Sequence, residues 1–206
     1  MHHRGMQTLP DYRPLHRRAL DVAGAVIANV GPQGLTRPTP CTAWDLGTLL
    51  AHCIGQNHGF ADAVDNGDAP AGAFAHRTFP ADGLTDAWSH STDRLSSAFA
   101  AAPLDRQVRL AEIRPDTTFP VAMVVGFQLL DTVIHTWDIA TALGTKFRPD
   151  DELVDATLSQ ARLVPGAPAV REGPGAVFAP VLPSDGADPW EESLALLGRT
   201  GTVGPG

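Results

Sequence analysis

Residues 129–144, LLDTVIHTWDIATALG, are apolar almost all round in the manner of a helix built for burial, yet they carry two aspartates and a histidine. At about 100° per residue, Gln128, Asp131, His135 and Asp138 fall within one stripe about 80° wide. Phe127, Leu130, Val133, Ile134, Trp137 and Ala140 occupy another face. The polar side chains therefore line up instead of scattering. Either that stripe faces water or it serves a site inside the protein.

The rest of the chain reads as further helices divided by Gly and Pro. A first helix is expected over about 12–30, closed by GPQG, with RPLHRRAL as its solvated face. A second opens at PCTAWD, with Thr42 as cap and Asp45 completing a capping-box-like pair, and runs to the stop DNGDAP. A third covers about 83–101, and PLDRQVRLAEIRP forms a short extended excursion. The fourth starts near TTFP, with Pro120 in its permissive first turn, and ends at Gly144. A fifth begins at the acidic PDDELVD. Beyond it come a Pro/Gly-rich stretch, a short strand at AVFAPVLP and a last helix with Asp188 as cap, Pro189 in the first turn and Gly198 behind. Four long amphipathic helices predict a mainly all-α antiparallel four-helix bundle over residues 1–164, with 165–206 as a short extension packed on it.

Sites in such bundles are built from facing helices. Asp131 and His135 are four residues apart, so their side chains leave successive turns in one direction and can grip one ion. A third ligand must come from another helix. On the second helix Leu46, Leu50, Cys53, Asn57, Ala61 and Val64 form the core stripe, and His52 lies about 120° from its centre, on a flank shared with Asp45 and Gln56. His52 is mid-helix between apolar turns and is the best candidate. His2, His3 and His76 fall in segments read as flexible, and His16, His58 and His90 lack a ligand partner that points with them. The competing reading leaves the stripe in water and gives His52 an ordinary half-buried place.

Composition excludes several classes. The net charge of −8 provides no basic surface for nucleic acid or an anionic membrane. With no long apolar run and no leader-like segment, a cytoplasmic protein is expected. Cys41 and Cys53 are too few for a disulfide framework and read as small core residues, although Cys41 precedes a helix start that would favour its thiolate. Trp44 and Trp137 fill the core or wall a pocket. Phosphate loops, GxSxG elbows and CxxC pairs are missing from the sequence. One lysine against fourteen arginines is the bias of a high-GC genome.

PTPCTAWDLGTLLAHCIGQNHGF and DTVIHTWDIATALG resemble, in order and at suitable separation, the two signature segments of the actinobacterial maleylpyruvate isomerase-like proteins, relatives of the DinB-like metal-binding bundles. ESLALLGR resembles the ending of the shorter members, so the resemblance spans essentially the whole chain. It implies a DinB-like bundle in which His52, Asp131 and His135 hold a divalent metal, zinc first, with nickel, cobalt or iron as other occupants. It also implies mycothiol as cosubstrate and a small-molecule substrate. Two departures are visible. Asp131 stands where the mycothiol-dependent isomerase has glutamate, and only about forty residues follow the fifth helix, against a larger C-terminal domain in that enzyme.

Three protein ligands leave a zinc position open, as in catalytic sites. A thiol entering there would be held as thiolate, giving a transferase or isomerase; water would give a hydrolase or lyase; a third alternative is a bundle that binds without catalysis. Gln56 and Gln128 are the candidate cofactor contacts. Asp138 and Asp45 are candidates to orient the ligands from behind, with the helix cap as the competing role for Asp45. A homodimer is left open.

Overall fold

Acidic caps set three of the helix starts. Helix α1 (Arg13–Ile27) has Pro in its first turn, and α2 (Leu46–Asn66) begins at Asp45, whose side chain accepts from Thr48 N at 2.8 Å. Thr42 is therefore not the cap: residues 41–44 form a turn closed by Trp44 N to Cys41 O, and Asp45 caps alone. The other helices are α3 (Leu84–Ala101), α4 (Val121–Ala142), α5 (Asp151–Ala161), the short α6 (Pro168–Arg171) and α7 (Pro189–Leu196). Asp150 caps α5 through Leu153 N, and Asp188 caps α7 through Trp190 N and Glu191 N. The computed structural model describes residues 9–172 and 178–200.

Helices α1 and α2 each pack on both α3 and α4, which gives a four-membered ring in the order α1, α3, α2, α4. Helix α5 lies on the outer side of α4, and α7 packs on α5. This arrangement explains the composition of α4. With α1, α2 and α5 around it, the helix buries Leu129, Leu130, Val133, Ile134, Trp137 and Ala140 at once. At 25 cal/mol per Å², each large side chain removed from water contributes about 1.5–3 kcal/mol, which fixes α4 as the central element.

A small sheet closes one end of the bundle. Strand β1 (Asp68–Ala69) follows α2 and runs parallel to β2 (Gln107–Leu110), which pairs antiparallel with β3 (Thr118–Pro120) just before α4. Val108 and Leu110 point inward onto Phe60, Phe99 and Val121. The extended excursion is thus a real strand, and its partners are too short for alternation to reveal them.

Two expectations change. His16, read as part of a solvated face, is 1% exposed and packs edge-on to Phe99, while the arginines around it take the water. The strand expected at 176–183 does not form over its described part: residues 178–183 have no ladder, and Leu182 N bonds to Ala195 O, docking the segment on α7. Residues 176 and 177 lie outside the described residues. Arg171 stitches this region by donating to the carbonyls of Pro165, Ala179 and Leu196. Among the described residues, no helix is long and apolar enough to cross a membrane.

Candidate metal centre

The polar stripe of α4 does not face open water. Asp138 is 0% exposed, His135 7% and Gln128 1%, and only Asp131 keeps partial access. Helical spacing puts Asp131 Oδ1 3.3 Å from His135 Nε2, one turn apart. His52 projects from the seventh position of α2, where α2 lies against α4, and its ring centroid is 5.4 Å from that of His135. One ligand atom from each of His52, Asp131 and His135 falls within 4.8 Å of the others. Adjacent ligands 2.0–2.1 Å from a tetrahedral ion are about 3.4 Å apart, so small side-chain rotations would close this set on a zinc-sized cation.

The other face of His135 is anchored. Its Nδ1 lies 2.9 Å from Asp138 Oδ2, which leaves Nε2 aimed at Asp131. A carboxylate behind a histidine is the arrangement that fixes ring orientation at metal sites. Asp138 is held in turn by Arg199, whose Nη2 donates to Oδ2 at 2.9 Å and Nε to Oδ1 at 3.3 Å. Cys41 Sγ also lies 3.3 Å from Asp138 Oδ2 and 3.4 Å from Arg199 Nη2. Cys41, His135 and Asp138 form a second cluster of ligand type, but the guanidinium against both Cys41 and Asp138 puts positive charge where an ion would sit. The set with His52 and Asp131 suits a cation; the set with Cys41 does not.

Electrostatics follow from burial and pairing. Burial pushes the His52 imidazole down to about 4, so at neutral pH its ring is neutral and a lone pair is free to ligate. Burial opposes charge on His135 as well, but Asp131 and Asp138 outweigh it and raise the ring's proton affinity well above the ordinary value. Burial likewise opposes charge on Asp131 and Asp138, yet His135 beside each, with His52 near Asp131 and Arg199 on Asp138, keeps both carboxyls below the usual range. The result is a buried cation between two carboxylates, a charge position that a proton or a metal ion can fill.

The remaining expected residues separate. Asp45 is exposed and its carboxylate is engaged at the cap of α2. Gln56 donates to both oxygens of Glu112, at 3.0 and 3.1 Å. Gln128 is buried among α2 and α3 side chains, bonded to Asn57, and is not open to a cofactor as the sequence suggested. Cys53 lies in the core, its thiol pushed up to about 12 by burial. Trp137 is core, whereas half-buried Trp44 stacks on His52 at 4.6 Å between centroids.

Three further side chains belong to the site. His76, placed by the sequence in a flexible segment, is instead 5.5 Å from the His52 ring and 5.3 Å from Trp44, centroid to centroid. Its segment is pressed onto α2 where Gly55 and Gly59 remove side chains: a Cβ at Gly55 would stand 2.3 Å from Ala75 O, and one at Gly59 2.3 Å from the Phe74 ring. Arg77 N then bonds to Ala51 O at 2.9 Å. The i, i+4 glycines of IGQNHG were the available signal. Glu112, in the loop after β2, has its carboxyl raised by burial, with Asp131 among the charges acting on it. Arg199 had no signal beyond the ESLALLGR ending, since sixty-one residues separate it from Asp138.

Comparison with known proteins identifies the family and the fold. The family described as "Mycothiol maleylpyruvate isomerase N-terminal domain" matches residues 16–140, from α1 to the end of the α4 stripe. Two uncharacterized proteins of Mycobacterium tuberculosis, MT0763 of strain CDC 1551 and Rv0738 of strain H37Rv, are each 31% identical over 199 residues, covering 90% of this chain and 96% of theirs. Among solved structures, the mycothiol-dependent maleylpyruvate isomerase and a histidine-to-alanine variant of it superpose with TM-scores of 0.59 and 0.61, at 14% identity over 80% of this chain and 70% of theirs, which is a likeness of fold. The chain belongs to the mycothiol maleylpyruvate isomerase N-terminal domain family.

Proposed function

We propose that the protein is a divalent-metal-dependent enzyme of the mycothiol-using isomerase or thiol-transferase type, with His52, Asp131 and His135 as metal ligands and a small molecule as substrate. The observation that carries the proposal is the orientation of His135: Asp138 holds Nδ1, and Nε2 points at Asp131 within reach of His52. When bound, the ion would supply an open Lewis-acid position at which a low-molecular-weight thiol is held deprotonated at neutral pH. Zinc suits this donor set best, with nickel, cobalt or iron as other occupants.

The chain's own residues then have definite tasks. Asp138 fixes the ring of His135, and Arg199 prevents Asp138 from turning away. Trp44 and His76 flank His52 and wall the approach to it. Glu112, steadied by Gln56 and readier than a free carboxylate to hold a proton, would take one from an incoming acid and return it to product. Glu112 also keeps the water-activating hydrolase as the second reading, because the same carboxyl would serve a water as base. We place the bundle at 1–164 and regard 165–206 as an extension whose role is to deliver Arg199. The proposal includes a cytoplasmic setting, where mycothiol would be available.

Elemental analysis after chelation and reconstitution tests the site, and a mycothiol-transfer and maleylpyruvate-isomerisation assay tests the chemistry. About one ion per chain is expected in the wild type, with most of it lost in His52→Ala and in His135→Ala. Equal loading of wild type and His135→Ala would overturn the ligand assignment.

A further inference from the structure

Between the four bundle helices lies a cavity of about 10 Å³, bordered by Ala23 of α1, Asn57 of α2, Trp88 of α3 and Gln128, Asp131 and His135 of α4. Its size matches the roughly 10–15 Å³ that one water molecule needs by this measure. A chain of hydrogen bonds leads into it. The Ser91 hydroxyl donates to the Trp88 carbonyl at 2.8 Å, so its oxygen is left to accept from Asn57 Nδ2 at 3.0 Å. Asn57 therefore turns Oδ1 towards Gln128, and Gln128 must donate with Nε2, at 2.8 Å. The backbone carbonyl at the start of the relay thus fixes both amide orientations. Gln128 Oε1 is the atom left over: it is fully buried, lines the cavity with its residue, and has no protein partner.

An unpaired buried carbonyl is costly, and polar cavities of this size are where internal waters reside. Asp131 borders the same cavity from one turn further along α4, and its carboxylate is also an acceptor. Gln128 and Asp131 each bring an acceptor to the border of one small space, and an occupant with two donors would serve both. We infer that the cavity is a binding site for a single water molecule that donates one O–H to Gln128 Oε1 and the other to the Asp131 carboxylate. Through that water the relay Ser91–Asn57–Gln128 sets the direction of Asp131, as Arg199 and Asp138 set that of His135. Gln128 is accordingly a positioning residue. The occupancy of the cavity stands by itself, whereas the effect on metal binding rests on the metal reading above.

Two measurements test this. A crystal structure of the wild type, at a resolution that orders internal waters, should show density in the cavity within hydrogen-bond distance of both Gln128 Oε1 and Asp131. A dry cavity, or an amide refined with Nε2 towards Asp131, overturns the inference. Chelator competition then compares zinc affinity in wild type, Gln128→Met and Ser91→Ala, each checked for cooperative unfolding. Gln128→Met should weaken zinc binding about 10- to 100-fold, the range for groups that orient a ligand, and Ser91→Ala should do so less. A folded Gln128→Met with wild-type affinity overturns the positioning role. Failure of the wild type to bind zinc at all would refute the metal reading, and the density would still decide the water.

Discussion

Arg199→Met removes the positive charge behind Asp138 while keeping much of the side chain's apolar length. Asp138 would then retain only His135 Nδ1 at 2.9 Å and Cys41 Sγ at 3.3 Å, in a position with 0% exposure. Breaking a buried ion pair by deleting one partner costs about 3–5 kcal/mol, because the other charge stays desolvated. The proton affinity of Asp138 gives a similar scale. Although burial opposes its charge, His135 and Arg199 pull its carboxyl down to about 2 from 3.8, a preference for the charged form worth roughly 2–3 kcal/mol. A carboxyl lowered in the folded state stabilises above its unfolded value near 3.8 and loses that contribution as pH falls towards 2, so neutral pH registers it fully. For a chain of this length, 3–5 kcal/mol corresponds to a drop in Tm of about 6–20 °C. Urea unfolding at neutral pH measures it, and Asp138→Asn with the double variant completes a cycle in which the second substitution costs much less than the first. A loss below about 1 kcal/mol for Arg199→Met, the worth of an exposed pair, would refute the buried clamp.

His16 is neutral in the fold, pushed down to about 3 by burial with Arg17 adding to it, so its contribution is complete above about 6.5 and erodes as pH falls towards 3. Between pH 6.5 and 4.5 that erosion amounts to about 2–3 kcal/mol, and His16→Leu should flatten the acid limb of the stability curve measured by urea titration. Gly55→Ala should displace the backbone at Ala75 at a cost of about 1–3 kcal/mol and speed hydrogen exchange at Arg77 N–H; exchange equal to wild type would mean that the segment is not docked there. Asp131→Glu should retain the ion yet lower turnover, because the longer arm moves it within a site shaped for aspartate; unchanged kinetics would show that reach is not tuned.

Much of the fold was legible because helix signals are local. Asp150, Asp188 and Pro120 mark helix starts within a few residues of themselves, and the i, i+4 spacing of Asp131 and His135 follows from helix geometry alone. The second start was misplaced because PCTAWD offers two acidic or hydroxyl caps, and the turn at 41–44 selects Asp45. His16 could not be recognised as buried, since α1 is arginine-rich and the contact that covers it comes from Phe99 on α3. The site's supporting residues were hidden for the same reason. His76 reaches the site only because Gly55 and Gly59 let a distant loop approach α2, Glu112 arrives on the loop after β2, and Arg199 arrives behind α7. The proposed ligand residues occupy two helices with strong periodicity, and Asp138 shares the stripe of α4 with two of them, whereas His76, Glu112 and Arg199 come from segments without a repeat.

The claim that an open metal position activates a thiol is tested most directly by cobalt substitution. Adding mycothiol or a simple thiol to the cobalt-loaded protein should produce an intense near-ultraviolet sulfur-to-cobalt charge-transfer band. The band should vanish in His135→Ala and persist in Cys41→Ala and Cys53→Ala. Cobalt-loaded wild type that gives no band with thiol, while still turning over a substrate with water, would contradict the account and leave the hydrolase reading in its place.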